Sequence, residues 1–450
     1  MLENLRQEKG WLWIIPVALI FNLIFGVKEG WSAVGLAFSA FYMFRVIFNM
    51  GHKIPVIDLM TTLAALQWIV GPFIDYHNEV THFKYYMYVP EAQYMAYAVP
   101  AIIAFRMGTL FYKDRSDLDA IGERVKQLLS RYPRLPYVFI IGGLIIPFLN
   151  AFIPPSLRFV FFLLANVKYI GVIYLLFSGS PNRWPIFIAV MLATAFASIA
   201  AGMFHDLLLW AMLTFTFVAR ELKMKFGLKL VFALIGMLMA ITIQSVKHQY
   251  RTILKTGSYS GNKTALFIGL ATQEWSSGNI FTPTSEDDMN ARLNQGWIIS
   301  AVMKNVPERE PYAGGSTVWE GIEASLLPRF LAPNKKIAGG QENFRRFTGL
   351  QLGAQTSMGI SLAGEGYANY GRWGGILFMF CWGLFIGWFW KKMWEWSDLY
   401  PTLLIWSPIL FLQVVKAETE LVVVLNHLVK ASVLVFGLLW FIRKQWGIKI

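Results

Sequence analysis

Charge is what this chain of 450 residues has least of: Asp, Glu, Lys and Arg make up 15% of it, where soluble domains carry about 25%. That deficit argues for lipid as the main solvent. Cysteine is almost missing too. Cys381 stands alone, so no intrachain disulfide can form, and its place in an apolar run makes it a small lipid- or core-facing side chain. Sustained alternation of polar and apolar residues is missing, which argues against an outer-membrane barrel. No internal repeat, low-complexity tract or cleavage site after the first apolar run is found, so residues 11–27 read as a retained first span.

What the chain does have is apolar bulk. It is 56% hydrophobic and 16% aromatic, and runs such as 138–153 and 421–442 hold almost no ionisable side chain. Since a bilayer core requires about 20 such residues per helix, an all-α polytopic membrane protein is expected. About twelve spans are predicted, near 11–27, 31–48, 56–74, 92–112, 136–153, 158–178, 185–201, 203–219, 229–246, 372–390, 401–415 and 419–441. The formal charge of +13 suggests nucleic acid at first sight. Its Lys and Arg cluster between apolar runs, however, as positive-inside topology requires, and no nucleic-acid partner is expected. Arg6, Lys9, Arg45, Lys53, the 113–134 connection, Arg220, Lys223, Lys225, Lys391, Lys392, Arg443 and Lys444 fall on one side. Both termini are therefore expected in the cytoplasm.

Two connections stand out. In residues 113–135, Leu118, Ile121, Val125, Leu128 and Leu129 share a helical face, with Ser116 placed as N-cap and Asp119 three residues on. This segment is expected to lie flat on the inner leaflet. Residues 247–371 form a connection far longer than ordinary ones, and such loops are usually functional. The chain thus divides into a transmembrane unit 1–246, an external loop 247–371 and C-terminal spans 372–450. Ser285 with Glu286, Asp287 and Asp288 marks a helix start in that loop, and Thr317 with Glu320 a capping box for a helix ending before Pro328.

The loop gathers cations in two places: Lys247, His248, Arg251, Lys255 and Lys263, then Arg329, Lys335, Lys336, Arg345 and Arg346. Arg offers a planar fork to phosphate oxygens, and near a membrane the phosphate is a lipid headgroup or a lipid-linked pyrophosphate. Solvation of the loop is the plain alternative. Asp75, His77, Glu79 and His82 share another external connection but follow no ligand spacing, so no metal and no cofactor is expected. Glu418 and Glu420 flank the last external turn and are candidates to touch a sugar.

Residues 326–375 carry a resemblance. The run Leu327-Pro328-Arg329-Phe330-Leu331-Ala332-Pro333-Asn334-Lys335, followed by Ser361-Leu362-Ala363-Gly364-Glu365-Gly366-Tyr367-Ala368-Asn369-Tyr370-Gly371 and then Gly374 and Gly375, resembles the bacterial oligosaccharide repeat-unit polymerases, the O-antigen polymerase family. The likeness covers about 50 residues, and the whole chain by layout. It implies a GT-C-like membrane glycosyltransferase fold whose large, mainly helical loop roofs a cavity. The implied reaction moves a growing glycan from undecaprenyl pyrophosphate to the non-reducing end of a new lipid-linked unit, with inversion by single displacement.

On that resemblance, Arg251 and Arg329 are the candidates to stabilise the leaving pyrophosphate and Glu365 the base for the acceptor hydroxyl. His248 is a rival base. Lys335, Arg345, Arg346, Tyr367 and Arg158 are candidates for substrate binding, and Lys168 and His205 a reserve deeper in. Implied partners are the lipid-linked oligosaccharide, membrane lipids and a chain-length regulator. An O-antigen ligase is the nearest alternative. A flippase or transporter is the rival from another class, disfavoured by the missing repeats and the long loop.

Overall fold

In the computed structural model, residues 17–20, 22, 27, 29–78, 85–114, 116–154, 157–256, 259–278, 293–327, 331–332, 335–339, 341–353 and 356–450 are described, save the side chains of residues 150 and 151. Among them, all regular structure is helical apart from one isolated bridge between Met50 and Lys53. Among the described residues, seven helices are long and apolar enough to cross a bilayer: Gly30–Asn49, Val56–His77, Arg158–Phe177, Arg183–Ala201, Phe226–Thr256, Ser361–Trp396 and Leu421–Trp446. Leu118–Arg131 and Leu135–Leu149, bent 91° to one another, add an eighth if taken as one broken span. A polytopic membrane protein follows. Most of the expected span 11–27 lies outside the described residues. The segments near 92–112 and 203–219 are the helices Glu91–Thr109 and His205–Glu221, while 401–415 breaks into a 3-10 turn, Leu403–Trp406, and a short helix, Ser407–Phe411.

Exposure sorts these helices into rim and centre. On Phe226–Thr256, Val231, Phe232, Leu234, Ile235, Met237, Leu238 and Met239 are all exposed. Such a continuous apolar surface is stable only in lipid. Glu91–Thr109 is less apolar yet sits at the centre, with Tyr94, Tyr97, Ala98, Val99, Ala101 and Ile102 fully buried. Its main neighbour is Ser361–Trp396. In lipid, helices associate through close backbone packing more than through hydrophobic transfer, and small residues provide it here. A Cβ on Gly383 would stand 2.0 Å from the Phe105 carbonyl oxygen, one on Gly108 2.3 Å from that of Phe380, and one on Gly387 3.1 Å from Thr109 Cα. Gly383 and Gly387 form a small-xxx-small pair.

At the inner end of the same bundle, by the expected orientation, three helices are tied by buried charge. Asp58 accepts from Arg45 Nε at 3.0 Å and Asn49 Nδ2 at 2.8 Å, and pairs with Arg106 Nη2 at 3.4 Å. Arg106 also donates to Tyr42 Oη at 2.9 Å and Thr109 Oγ1 at 2.7 Å. Each nitrogen of the buried Arg106 guanidinium thus meets an acceptor, the condition for holding charge inside a bundle.

The amphipathic helix forms as expected, over Leu118–Arg131, but its cap and its contacts differ. Asp117 is the N-cap, accepting from Asp119 N at 2.9 Å, while Ser116 Oγ accepts from Ile54 N at 3.4 Å. The apolar face, Leu118, Ile121, Val125, Leu128 and Leu129, is buried within the protein core. The sequence pattern establishes that this face needs an apolar partner; the bundle, with the helix Val167–Phe177 among its contacts, supplies one in place of lipid.

The long loop joins the bundle in the same way. Its helix Gly296–Asn305 puts Trp297, Ile299 and Val302 into the main core. Just before it, fully buried Asn294 lies against Gly71, where a Cβ would be 2.7 Å from the Asn294 backbone. A π turn at Leu66–Val70 loosens the helical ladder there, and the Gln67 carbonyl accepts from Gln295 N at 3.0 Å. The Gln67 contact sits ten residues, roughly 15 Å at 1.5 Å per residue, from the His77 end of that helix. Earlier in the loop, Phe226–Thr256 runs on past residue 246, and Lys263–Ser276 packs back along it in a second cluster with Phe204, Val246, Tyr250 and Leu270.

Candidate functional site

The glycine-rich segment 361–375 does not run straight into the membrane. Gly371 takes φ 67° and ψ −164°, which breaks the Ser361–Trp396 helix and folds its first ten residues back on the rest. The folded pieces touch through glycines, since a Cβ on Gly366 would lie 3.3 Å from Gly375 Cα. Tyr97 of the central helix pins the folded piece by donating to the Ala363 carbonyl at 2.5 Å, and its ring meets Tyr367 edge-on at 5.0 Å. Tyr367, a candidate for substrate binding, is buried there.

This fold-back carries Glu365 into the protein, where it is 1% exposed. One carboxylate oxygen accepts from Thr317 Oγ1 at 2.7 Å, the other from the backbone N–H of Leu421 at 2.7 Å. Leu421 opens the Leu421–Trp446 helix, so Glu365 caps that helix from outside its own chain segment and sits at the positive end of its dipole. Thr317 in turn accepts from Asn369 Nδ2 at 2.7 Å, which directs the Thr317 proton toward Glu365. Asn369 also accepts from Gly315 N at 3.0 Å. The helix Ser316–Leu326 is present as expected, but its N-cap is Gly315 and Thr317 makes no capping box. Its hydroxyl is taken by the stronger, charged acceptor.

A second buried carboxylate lies alongside. Glu420 accepts from Asn343 Nδ2 at 2.8 Å; Lys336 Nζ donates to Asn343 Oδ1 at 2.6 Å and to Glu320 Oε2 at 2.7 Å. Burial pushes the Glu420 carboxyl above its ordinary value, against the opposing pull of Asn343 and Lys336. Glu365 and Glu420 influence each other electrostatically. Five segments, 316–326, 335–336, 341–348, 361–370 and 416–421, thus meet in one largely buried polar layer. Sequence reading marked Thr317, Lys336, Asn369 and Glu420 for other reasons and missed Asn343, which carries no signal beyond being a polar residue between a carboxylate and an aromatic.

The remaining candidates are spread around this layer. Lys335 donates to the carbonyls of Ala324 at 2.8 Å and Leu327 at 2.5 Å, closing the C-terminus of Ser316–Leu326. Arg345 donates to Leu352 O at 2.9 Å, and Arg346 pairs with Glu310 at 2.5 Å beside the Phe347 ring. Arg251 Nε donates to Gly202 O at 2.8 Å. Near it His205 faces Glu418 at 3.8 Å and Lys416 faces Asp206 at 4.0 Å. Glu365 thus meets one end of the 416–421 segment, while Arg251 lies against Gly202, three residues from the His205 that faces Glu418. His248 and Arg158 are exposed, the latter at the start of its helix. Arg329, the helix start at Ser285, and Glu79 and His82 lie outside the described residues. Asp75 is buried, and His77 Nδ1 contacts Phe73 O at 2.9 Å.

Two cations sit deeper. Lys168 and Lys430 lie in the interiors of Arg158–Phe177 and Leu421–Trp446, with Lys430 over the Phe159 ring at 5.2 Å. On the same last helix the buried His427 Nδ1, Asn426 Oδ1 and Ser432 Oγ have no hydrogen-bond partner. Polar groups at bilayer depth mark a functional path by default. No family model, curated protein or solved structure matches this chain.

Proposed function

We propose that this protein is a bacterial inner-membrane polymerase of lipid-linked oligosaccharide repeat units. In this reading it transfers the growing glycan from undecaprenyl pyrophosphate to the non-reducing end of a new lipid-linked unit, without a metal. It has about twelve spans in a GT-C-like arrangement, both termini cytoplasmic and the 247–371 loop periplasmic. Its partners are the lipid-linked oligosaccharide, membrane lipids and a chain-length regulator.

The observation that carries the reading is the convergence of the two segments of the resemblance. They are separated by 25 residues of chain, yet the residues next to and within them, Lys336 and Glu365, build one buried layer with Thr317, Asn343 and Glu420. Outside that layer stand the cations Arg251, Lys416 and Arg158, with His205 beside Glu418, and a departing pyrophosphate requires cationic surroundings of this kind. Arg329, two residues beyond Leu327, completes the set in sequence. Glu365 acts as base only if an acceptor hydroxyl reaches its buried carboxylate; its described bonds make it first a brace between segments.

The test is Arg251→Ala and Arg329→Ala in cells making the polysaccharide. Both variants are expected at normal membrane levels, with long chains lost and single repeat units accumulating. Arg→Lys rescues in part, because a point charge does not reproduce the bidentate grip of a guanidinium. Full-length polymer from both alanine variants would refute the assignment. Loss of transfer to lipid A core with intact polymer on the carrier would mark a ligase instead.

A further inference from the structure

At the far end of the Ser361–Trp396 helix from Glu365, a cleft of about 530 Å³ opens between the Leu118–Arg131 helix, residues 397–401 and the last residues of the chain. Its lining holds three cations, Arg124, Arg131 and Lys449, against one carboxylate, Asp398. Arg124 Nη1 donates to Ser397 O and Oγ, each at 3.3 Å, which holds the guanidinium at the wall. Gln127 and Tyr132 add neutral hydrogen-bonding groups.

A neighbouring cleft of about 520 Å³, on another side of the Leu118–Arg131 helix, provides the contrast. Arg220 there bonds Asp119 at 3.1 Å and Glu221, and Lys229 donates to the Phe48 carbonyl at 3.1 Å. Arg220 and Lys229 are thus committed to protein acceptors. In the first cleft the excess of positive charge faces the cavity.

The height of the cleft is set by two further features. Leu118–Arg131 stands at 91° to the apolar segment Leu135–Leu149, so when that segment runs along the bilayer normal the helix lies parallel to the membrane plane. The helices bordering the cleft end in exposed Trp396, Trp440 and Trp446, the aromatic type that gathers at headgroup depth.

We propose that this cleft binds the phosphate-bearing headgroup of an anionic phospholipid. The Arg124 and Arg131 guanidiniums supply forked donors to the phosphodiester oxygens and Lys449 a point charge. Acyl chains would pass beside the tryptophans into the bilayer. The site stands apart from the polymerase reading, and neither depends on the other. A free phosphate would satisfy the same donors, so the experiment separates the two sources.

The full chain, purified and delipidated, is titrated with phosphatidylglycerol or phosphatidylcholine and retained lipid is read by native mass spectrometry. Inorganic phosphate is added as competitor in a parallel series. Phosphatidylglycerol is expected to be retained in preference, undisturbed by millimolar phosphate. Each cation removed should weaken retention roughly fivefold and the pair Arg124→Gln/Arg131→Gln about 30-fold, on the scale of ~1 kcal/mol per Lys or Arg at a membrane surface. Lys449→Gln, which alters only an exposed side chain near the end of the chain, should show the fivefold loss even where the double variant fails to fold. Lys126→Gln/Lys223→Gln, removing two cations from the second cleft, should leave retention unchanged. The proposal is overturned if Lys449→Gln and the arginine pair retain phosphatidylglycerol as the wild type does. It is equally overturned if the second-cleft variant loses as much, or if inorganic phosphate displaces the lipid.

Discussion

Replacing Glu365 separates two roles that one carboxylate can play. In Glu365→Ala, the Thr317 hydroxyl and the Leu421 N–H both lose their acceptor in a site where Glu365 itself is 1% exposed. A buried donor left without a partner costs about 1–3 kcal/mol, so the alanine variant should lose about 2–6 kcal/mol. Glu365→Gln keeps one carbonyl oxygen and turns its amide N–H2 toward the other donor, so it should lose about 1–3 kcal/mol. Thr317→Val removes the same link from the other side. Its effect and that of Glu365→Gln should fall short of additivity, because they delete one shared bond. Thermal unfolding in detergent, followed by tryptophan fluorescence, reads the stability; the polysaccharide ladder reads transfer. The bracing role predicts that the two readouts fall together, in the order Gln then Ala. The reasoning is refuted if Glu365→Gln keeps wild-type stability while transfer drops by about 10²–10⁴-fold, the contribution typical of a general base.

Other perturbations test the bundle. Gly383→Val should prevent the central helices from closing, since even a Cβ there meets the Phe105 carbonyl at 2.0 Å, whereas Gly437→Ala, with open space around it, should be silent; size-exclusion profiles in detergent distinguish them. Asp58→Ala leaves the buried Arg106 guanidinium without its carboxylate and should cost about 3–5 kcal/mol, which adding Arg106→Met should largely restore in the same unfolding assay. Glu420 has a folded-state pKa raised above its ordinary 4.5 by burial, so its stabilising contribution is complete below pH 4.5 and is lost as pH rises through the folded value. Glu420→Gln keeps an acceptor for Asn343 and should therefore gain stability relative to wild type progressively above pH 4.5; a constant difference across that range would contradict the assignment.

The membrane character was legible because it rests on composition and on long apolar runs, which no local packing can disguise. The same runs could not say which helices lie inside. Glu91–Thr109 is the centre of the bundle although its sequence is among the less apolar, and Phe226–Thr256, at the rim, is among the most apolar. This inversion is physical: rim helices face hydrocarbon over most of their surface, while a central helix meets hydroxyls, glycines and Arg106 partners, and tolerates polarity that finds bonds. Two signals for the centre were nonetheless present, the Gly383/Gly387 spacing and the ionisable Asp58 and Arg106 within expected spans. Each gains meaning only once its partner, distant in sequence, is known.

The site was legible to a similar depth. Residues 361–371 were marked as special, and the fold-back at Gly371 gives their glycines a mechanical reason: positive φ at the bend and contact between Gly366 and Gly375 where the pieces meet. What local sequence could not give was the direction of each polar side chain. Thr317 and Glu320 have the spacing of a capping box, but a carboxylate arriving from 48 residues away competes for the same hydroxyl and wins on charge. The loop illustrates the consequence. It was set apart from the spans by its length, yet Trp297, Phe344 and Ile360 share the main core with the membrane helices, and Asn294 is seated beside Gly71, six residues inside the Val56–His77 helix. The described parts of the loop, held there on one side and through Glu365 to the start of the last helix on the other, are coupled directly to the Val56–His77 and Leu421–Trp446 helices. Any ligand that displaces them must work against the packing of the bundle itself.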